Sequence, residues 1–166
     1  MRVMRGAGLA GSVVAAVVAV VVPGPGLSAV AEPVPRRVAP EADVSLHGHV
    51  SLDGRRLGVM LRAGNRGPSP LVEATVRLRF SVPLAAGQRL PRGCLRAGAR
   101  TVLCGTGVLS AAGDARRTTV VLGLAGRPAE VVVRVDTVWN GGASDRNPRN
   151  NTHEVLAPST GDAYVF

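Results

Sequence analysis

Hydrophobic and polar residues alternate with a period of two along several short segments of this chain. The clearest segment is 72–82, in which six apolar residues occupy one set of alternate positions and Glu, Thr, Arg and Ser occupy the other. Successive side chains of a β-strand point to opposite faces of the sheet. The pattern therefore predicts a strand with one buried face and one hydrated face, and it excludes an amphipathic helix.

Further strands are predicted from the same kind of pattern. Apolar positions alternate in 43–52 and 56–62, β-branched and apolar residues fill 118–124 and 131–139, and shorter strands fit 93–97, 100–105 and 152–156. Gly, Pro, Asn and Asp cluster between these segments, and no segment after residue 32 has a helical period. About seven to eight strands at short, regular spacing predict an all-β fold, an antiparallel β-sandwich.

The first 31 residues have the three-part pattern of a secretory signal peptide. Two arginines precede an uninterrupted run of small and apolar residues at 9–22, and a Pro-Gly break follows it. Ala29 and Ala31 match the small residues that signal peptidase requires, so we expect cleavage between Ala31 and Glu32. The run has 14 residues, fewer than the about 20 that span a bilayer. This favours a secreted product without a transmembrane anchor over a retained signal anchor.

The remaining chain divides into three predicted parts. Residues 32–40 contain three prolines and no apolar period, which is typical of an extended linker. The sandwich is predicted to occupy 41–157, and residues 158–166 form a C-terminal tail that carries Tyr164 and Phe166. An exposed aromatic tail can add as a strand to a partner; packing against its own sheet is the alternative.

Cys94 and Cys104 are the only cysteines, and an exported chain favours their oxidation. A turn at 97–99 lies midway between them, so a hairpin places Cys94 opposite Cys104 and Leu95 opposite Leu103. Opposed strand residues are close enough for a disulfide. We expect this bridge to be structural, to lie toward solvent, and to contribute about 3 kcal/mol by closing a short loop.

All 20 basic residues are arginine and the formal net charge is +9. Nucleic-acid-binding surfaces typically interleave clustered basic residues with aromatic ones. The arginines of this chain are instead scattered along strands and loops, without aromatic residues between them. The sequence therefore predicts ordinary surface charge and no specific nucleic-acid partner.

Five short motifs follow one another between residues 42 and 157. In chain order they are Gly-Asn-Arg-Gly-Pro-Ser at 64–69, Val-Pro-Leu at 82–84, the two cysteines, Gly-Val-Leu-Ser-Ala-Ala-Gly at 107–113 and Asp-Arg-Asn-Pro-Arg-Asn-Asn-Thr at 145–152. This ordered set resembles a conserved-repeat family of bacterial surface proteins, known as domain of unknown function eleven. The resemblance implies an Ig-like sandwich and an extracellular setting with a spacer or adhesive role. The chain departs from the family at His47 and His49, where Thr and Val are usual, and in lacking tandem repeats.

Two groups of residues are candidate metal ligands. His47 and His49 share one face of the first long strand and His153 begins the last, so three imidazoles would converge if these strands are neighbours. Asp145, Asn147, Asn150 and Asn151 form an oxygen-rich loop of the kind that binds calcium. Solvent-exposed histidines and a tight Asx-type turn are the structural alternatives.

The sequence predicts no enzyme and no cofactor. It contains no G-x-S-x-G, H-E-x-x-H, Ser-x-x-Lys or phosphate-loop motif. Trp139, the sole tryptophan, ends an alternating strand and is expected to anchor the core; stacking on a ligand is the alternative. The leading hypothesis is a secreted, non-enzymatic Ig-like module that binds or spaces an extracellular protein or cell-wall component. The alternatives are a secreted inhibitor or effector acting through loop 84–93 or the tail, and a metal-binding protein using the histidines.

Overall fold

The computed structural model describes residues 38–166. The predicted signal peptide, its Ala31–Glu32 cleavage site and most of the 32–40 linker lie outside the described residues. Within the described part the chain forms short strands and one 3₁₀ turn. They are β1 (Glu41–Ala42), β2 (Val44–Asp53), β3 (Arg56–Asn65), β4 (Thr75–Phe80), β5 (Cys94–Gly98), β6 (Thr101–Gly105), β7 (Arg116–Gly123), β8 (Glu130–Trp139), β9 (Ser144–Asp145), the 3₁₀ turn Pro148–Asn151, β10 (Thr152–Pro158) and β11 (Ala163–Val165).

Nine of these strands form two antiparallel sheets. One has five strands in the order β10-β8-β4-β6-β5, and the other has four in the order β11-β2-β3-β7. The parallel pair β1–β9 is separate from both. The predicted all-β, sandwich-like fold is confirmed. No helix in residues 38–166 is long and apolar enough to cross a membrane.

The apolar faces predicted from period-two alternation form the core between the sheets. Val76, Leu78 and Phe80 of β4 are buried, as are Val59 and Leu61 of β3. Burial of such side chains is the main favourable contribution to the stability of a small domain. Val72, by contrast, is 82% exposed, because the strand pairs with its neighbours only from Thr75 onward.

The C-terminal tail belongs to the sandwich as strand β11. Tyr164 lies opposite Val50 of β2, and Phe166 exchanges two backbone hydrogen bonds of 3.0 and 3.1 Å with Gly48. A side chain at Gly48 would collide with the backbone carbonyl of Met60 and also with the Phe166 ring, 2.8 Å from the position of its Cβ. The sandwich therefore extends beyond residue 157, because β11 pairs with β2.

The disulfide joins Cys94 and Cys104, which are directly opposed on β5 and β6 with a Cα–Cα distance of 4.1 Å. The predicted pairing, including Leu95 opposite Leu103, is confirmed. The prediction that the bridge lies toward solvent was wrong. Cys104 is 1% exposed and Leu95 is 57% exposed, so the sulfurs face the core and the leucines face out. Both faces of this short hairpin are apolar, and alternation alone did not distinguish them.

A bulge where β8 meets β4 moves Trp139 out of the predicted core position. Val76 of β4 lies opposite Thr137, but Thr75 lies opposite Trp139, so Val138 is an extra residue on β8. A bulge of this kind shifts the following side chain to the other face of the sheet. Trp139 is consequently 49% exposed, and the expectation that it anchors the core was wrong.

Candidate functional site

The oxygen-rich loop predicted as a calcium site is hydrogen-bonded within the protein. Asp145 accepts bonds from the backbone N–H groups of Asn147 (2.9 Å) and Val44 (3.2 Å) and from the side-chain amide of Asn151 (2.8 Å). One carboxylate thus ties the start of β2 to the 3₁₀ turn. Its oxygens are directed at N–H donors, an arrangement that stabilises the loop without an ion.

Asn150, the remaining residue of the predicted set, forms hydrogen bonds with other partners. Its amide donates to Oδ1 of Asp43 at 2.7 Å, and its own Oδ1 is buried without a hydrogen-bond partner in the described part of the chain. Its backbone carbonyl lies 3.2 Å from Nε2 of His153. The four predicted residues lie in one turn, but within residues 38–166 no three His, Cys, Asp or Glu side chains are arranged to hold a metal ion.

The three histidines are divided between two places. The rings of His47 and His153 have centroids 6.2 Å apart, and the Phe166 ring lies 5.4 Å from that of His153. His49 lies opposite Met60 on β3 and lines a separate hollow with Ser51. Strands β2 and β10 belong to different sheets but contact each other, and this contact brings together only His47 and His153. The predicted convergence of three imidazoles is therefore wrong.

The two segments considered for an inhibitor or effector are held by the fold. Tyr164 and Phe166 pack against the core. In loop 84–93, Gln88 exchanges hydrogen bonds of 2.7 and 3.2 Å with backbone atoms of Gly123, and Arg96 donates to the carbonyls of Leu84 and Ala85. Neither segment projects as a free arm.

Three arginines and one histidine lie together on the outer face of the four-stranded sheet. His47 on β2 lies opposite Arg62 on β3, and Arg62 lies opposite Arg117 on β7. Arg66 follows β3, with its Nη2 3.5 Å from Nε2 of His47. All four side chains are exposed. We call these four residues the arginine face.

Three residues of the arginine face, His47, Arg62 and Arg66, line a hollow of about 470 Å³. Its other lining residues include Ser45, Gly64 and Gly113, and no carboxylate is among them. Within residues 38–166 its three arginines make no ion pair within 4.0 Å. Like charges directly opposed across strands are destabilising. The face therefore carries uncompensated positive charge.

On the five-stranded sheet, arginines lie next to carboxylates. Asp136 bonds Arg77 in a bidentate pair at 2.5 and 3.1 Å and lies 3.7 Å from Arg79, and Arg134 bonds Glu154. The hydrogen bond to Asp136 raises the pKa of Arg77. Three of the four arginines on these five strands are thus paired with a carboxylate, and the fourth, Arg96, donates to backbone carbonyls. The arginine face is therefore the stronger candidate for binding.

Sequence reasoning missed the arginine face. Arg62 is the last residue of the alternating segment 56–62, whereas Arg117 lies just before the predicted segment 118–124 and belongs to a strand that begins at Arg116. They become neighbours only through the register between β3 and β7, and this register cannot be predicted from the sequence pattern.

The chain matches no known family model and no curated protein. Among solved structures it is similar to β-glucosidase 3B from Thermotoga neapolitana in complex with α-D-glucose, at 16% identity and a TM-score of 0.41. The similarity covers 75% of this chain and 17% of that chain. The chain thus spans a small part of that enzyme, and a likeness at this level carries no conclusion about activity.

Proposed function

We propose that this chain is a secreted, non-enzymatic module that binds an anionic polymer of the bacterial cell envelope through the arginine face. The observation that carries the proposal is the row of His47, Arg62 and Arg117 on three adjacent strands without a carboxylate partner. The predicted signal peptide supports an extracytoplasmic location.

Opposed cations on a flat sheet repel each other unless an anion lies between them. Guanidinium groups bind phosphate and carboxylate oxygens through paired N–H donors. Rigid strands hold Arg62 and Arg117 at one cross-strand spacing, so one anionic group can contact both. Arg66, beside His47 at 3.5 Å, extends the positive surface around the hollow.

A phosphodiester polymer fits this surface better than a small anionic metabolite. The hollow is open, and several of its lining residues are glycines and alanines, whose small side chains do not enclose a small ligand. Each arginine can also pair with a different negative charge of a polymer, so the affinity increases with the number of pairs and falls strongly with salt concentration.

The test is sedimentation of the purified secreted chain with bacterial cell walls, before and after acid removal of their phosphodiester polymers. We expect binding to intact walls that falls as sodium chloride is raised, and little binding to stripped walls. The variant Arg62→Gln/Arg117→Gln should bind at least about tenfold more weakly, because it removes two charged contacts.

The matched control is Arg89→Gln/Arg127→Gln, which makes the same change in net charge at two exposed loop positions. It should bind nearly as well as the unmodified chain. Equal losses in the two variants, or equal binding to intact and stripped walls, would overturn the proposal.

A further inference from the structure

One member of the arginine face can change its charge near neutral pH. His47 is exposed on β2, lies opposite Arg62 on β3, and has its Nε2 3.5 Å from Nη2 of Arg66. Arginine stays charged in proteins, whereas imidazole is the side chain that ordinarily gains or loses its charge in the range of about pH 5–8. The total charge of the arginine face therefore depends on His47.

The contact between His47 and Arg66 belongs to the neutral form of the imidazole. A guanidinium carries N–H donors and no acceptor, so Nε2 can receive a hydrogen bond from Arg66 only through its lone pair. A protonated imidazole carries a donor on each ring nitrogen and would repel the guanidinium at this distance. Protonation of His47 therefore breaks this contact and leaves two cationic groups free to bind an anion.

His153 is the titratable residue that faces His47 from the other sheet. The two ring centroids are 6.2 Å apart, and the Phe166 ring packs against His153 at 5.4 Å. Nε2 of His153 lies 3.2 Å from the backbone carbonyl of Asn150, to which it can donate. His153 is half-buried and does not line the hollow beside the arginine face, whereas His47 does. Of these two imidazoles, His47 is the one that a ligand in the hollow can contact.

The described residues offer no carboxylate to a protonated His47. Within residues 38–166 it makes no ion pair within 4.0 Å, and no carboxylate lines the hollow. Asp43 and Asp145, next to the start of β2, accept hydrogen bonds from the side-chain amides of Asn150 and Asn151. The added positive charge is thus available to an anionic ligand.

We propose that protonation of His47 regulates the arginine face, so that the face binds a phosphodiester polymer more tightly in acid. This inference rests on the proposed function. The protonated imidazole adds a fourth cation to the three guanidinium groups and releases Arg66 toward the hollow. A phosphate bound there favours the protonated imidazole in turn, because coupling between two ligands is reciprocal. Binding therefore takes up a proton, and the affinity rises as the pH falls through the range in which imidazole titrates.

The experiment is isothermal titration calorimetry of the secreted chain with purified poly(glycerol phosphate), at about pH 5.5 and about pH 7.5 and constant ionic strength. The phosphodiesters keep their charge over this range, so a difference in affinity originates in the protein. We expect the affinity to be at least about threefold higher at the lower pH. Proton uptake should appear as a binding heat that varies with the ionisation enthalpy of the buffer.

His47→Gln should remove most of the difference between the two pH values, because glutamine keeps a neutral acceptor and cannot gain the charge. The matched control is His49→Gln. His49 lies on the same strand but lines a separate hollow with Asp53 and Arg56, so this variant should keep the full pH dependence.

Two results separate this inference from the proposed function. Equal affinity at both pH values, or a pH dependence that is unchanged in His47→Gln, would overturn the regulatory role of His47 and leave polymer binding in place. A chain that does not bind the polymer at either pH would overturn both.

Discussion

Asp145 shows how a single side chain organises one end of the sandwich. It receives hydrogen bonds from Val44, Asn147 and Asn151, and Val44 is 101 residues away along the chain. The sequence predicted an oxygen-rich loop at Asp145 and its asparagine neighbours, either a calcium site or a tight turn. It did not reveal Val44 as a partner, because only the parallel pairing of β1 with β9 brings these segments together.

Replacing Asp145 by Asn should lower the free energy of unfolding by about 1–3 kcal/mol, the cost of losing charge-assisted bonds and leaving N–H donors unsatisfied. The measurement is urea unfolding followed by far-UV circular dichroism. Asp162→Asn, at an exposed position before β11, is the control and should change stability by less than about 0.5 kcal/mol. Similar losses in both variants would count against this role for Asp145.

At the scale of elements, the hairpin β5–β6 shows what alternation can and cannot predict. The pairing of Cys94 with Cys104 followed from spacing and a central turn, and it is confirmed. The face was assigned wrongly, since Leu95 and Leu103 on one side are as apolar as the cysteines and Val102 on the other. In β4, where one face carries Arg77 and Arg79, the same reasoning succeeded.

Removing the disulfide should lower the free energy of unfolding by about 3 kcal/mol, since an open hairpin regains chain entropy in the unfolded state. The variant is Cys94→Ala/Cys104→Ala, measured by urea unfolding against the unmodified chain. Unfolding the unmodified chain in the presence of dithiothreitol should give a similar loss. A difference below about 1 kcal/mol in both experiments would show that the bridge contributes little.

The orientation of Trp139 at the end of β8 could not be predicted from the alternation of apolar and polar residues. Val131, Val133 and Val135 are fully buried, and continued alternation places Trp139 with them. The extra residue at Val138 breaks that relation, and nothing in the composition of the segment marks it, because Val138 is as good a strand residue as its neighbours.

At the scale of the whole molecule, positive charge is distributed unevenly over the two sheets. The ion pairs of the described residues lie on the five-stranded sheet and between Glu41 and Arg146 at the β1–β9 pair. The outer face of the four-stranded sheet has none. The sequence gives the excess of arginine over carboxylate, but the segregation of charge requires the strand order. The resemblance to the conserved-repeat family and the signal peptide stay predictions.

A multivalent anion should therefore stabilise the folded protein by binding the arginine face. Inorganic triphosphate at low ionic strength should raise the Tm in differential scanning calorimetry, because a ligand that prefers the folded state shifts the equilibrium toward it. Sodium chloride at equal ionic strength should have a smaller effect. The Arg62→Gln/Arg117→Gln variant should lose most of the triphosphate effect; a Tm shift of the same size in that variant would place the anion elsewhere.

The displaced indole at the end of β8 also affects how folding of this protein can be followed. Because Trp139 is already in contact with water in the native state, denaturation will transfer it from one hydrated setting to another. Its emission wavelength should shift less across the unfolding transition than that of a fully buried tryptophan, so a small change in fluorescence would not mean that the protein stays folded. Backbone signals, not the aromatic chromophore, will report the loss of structure here.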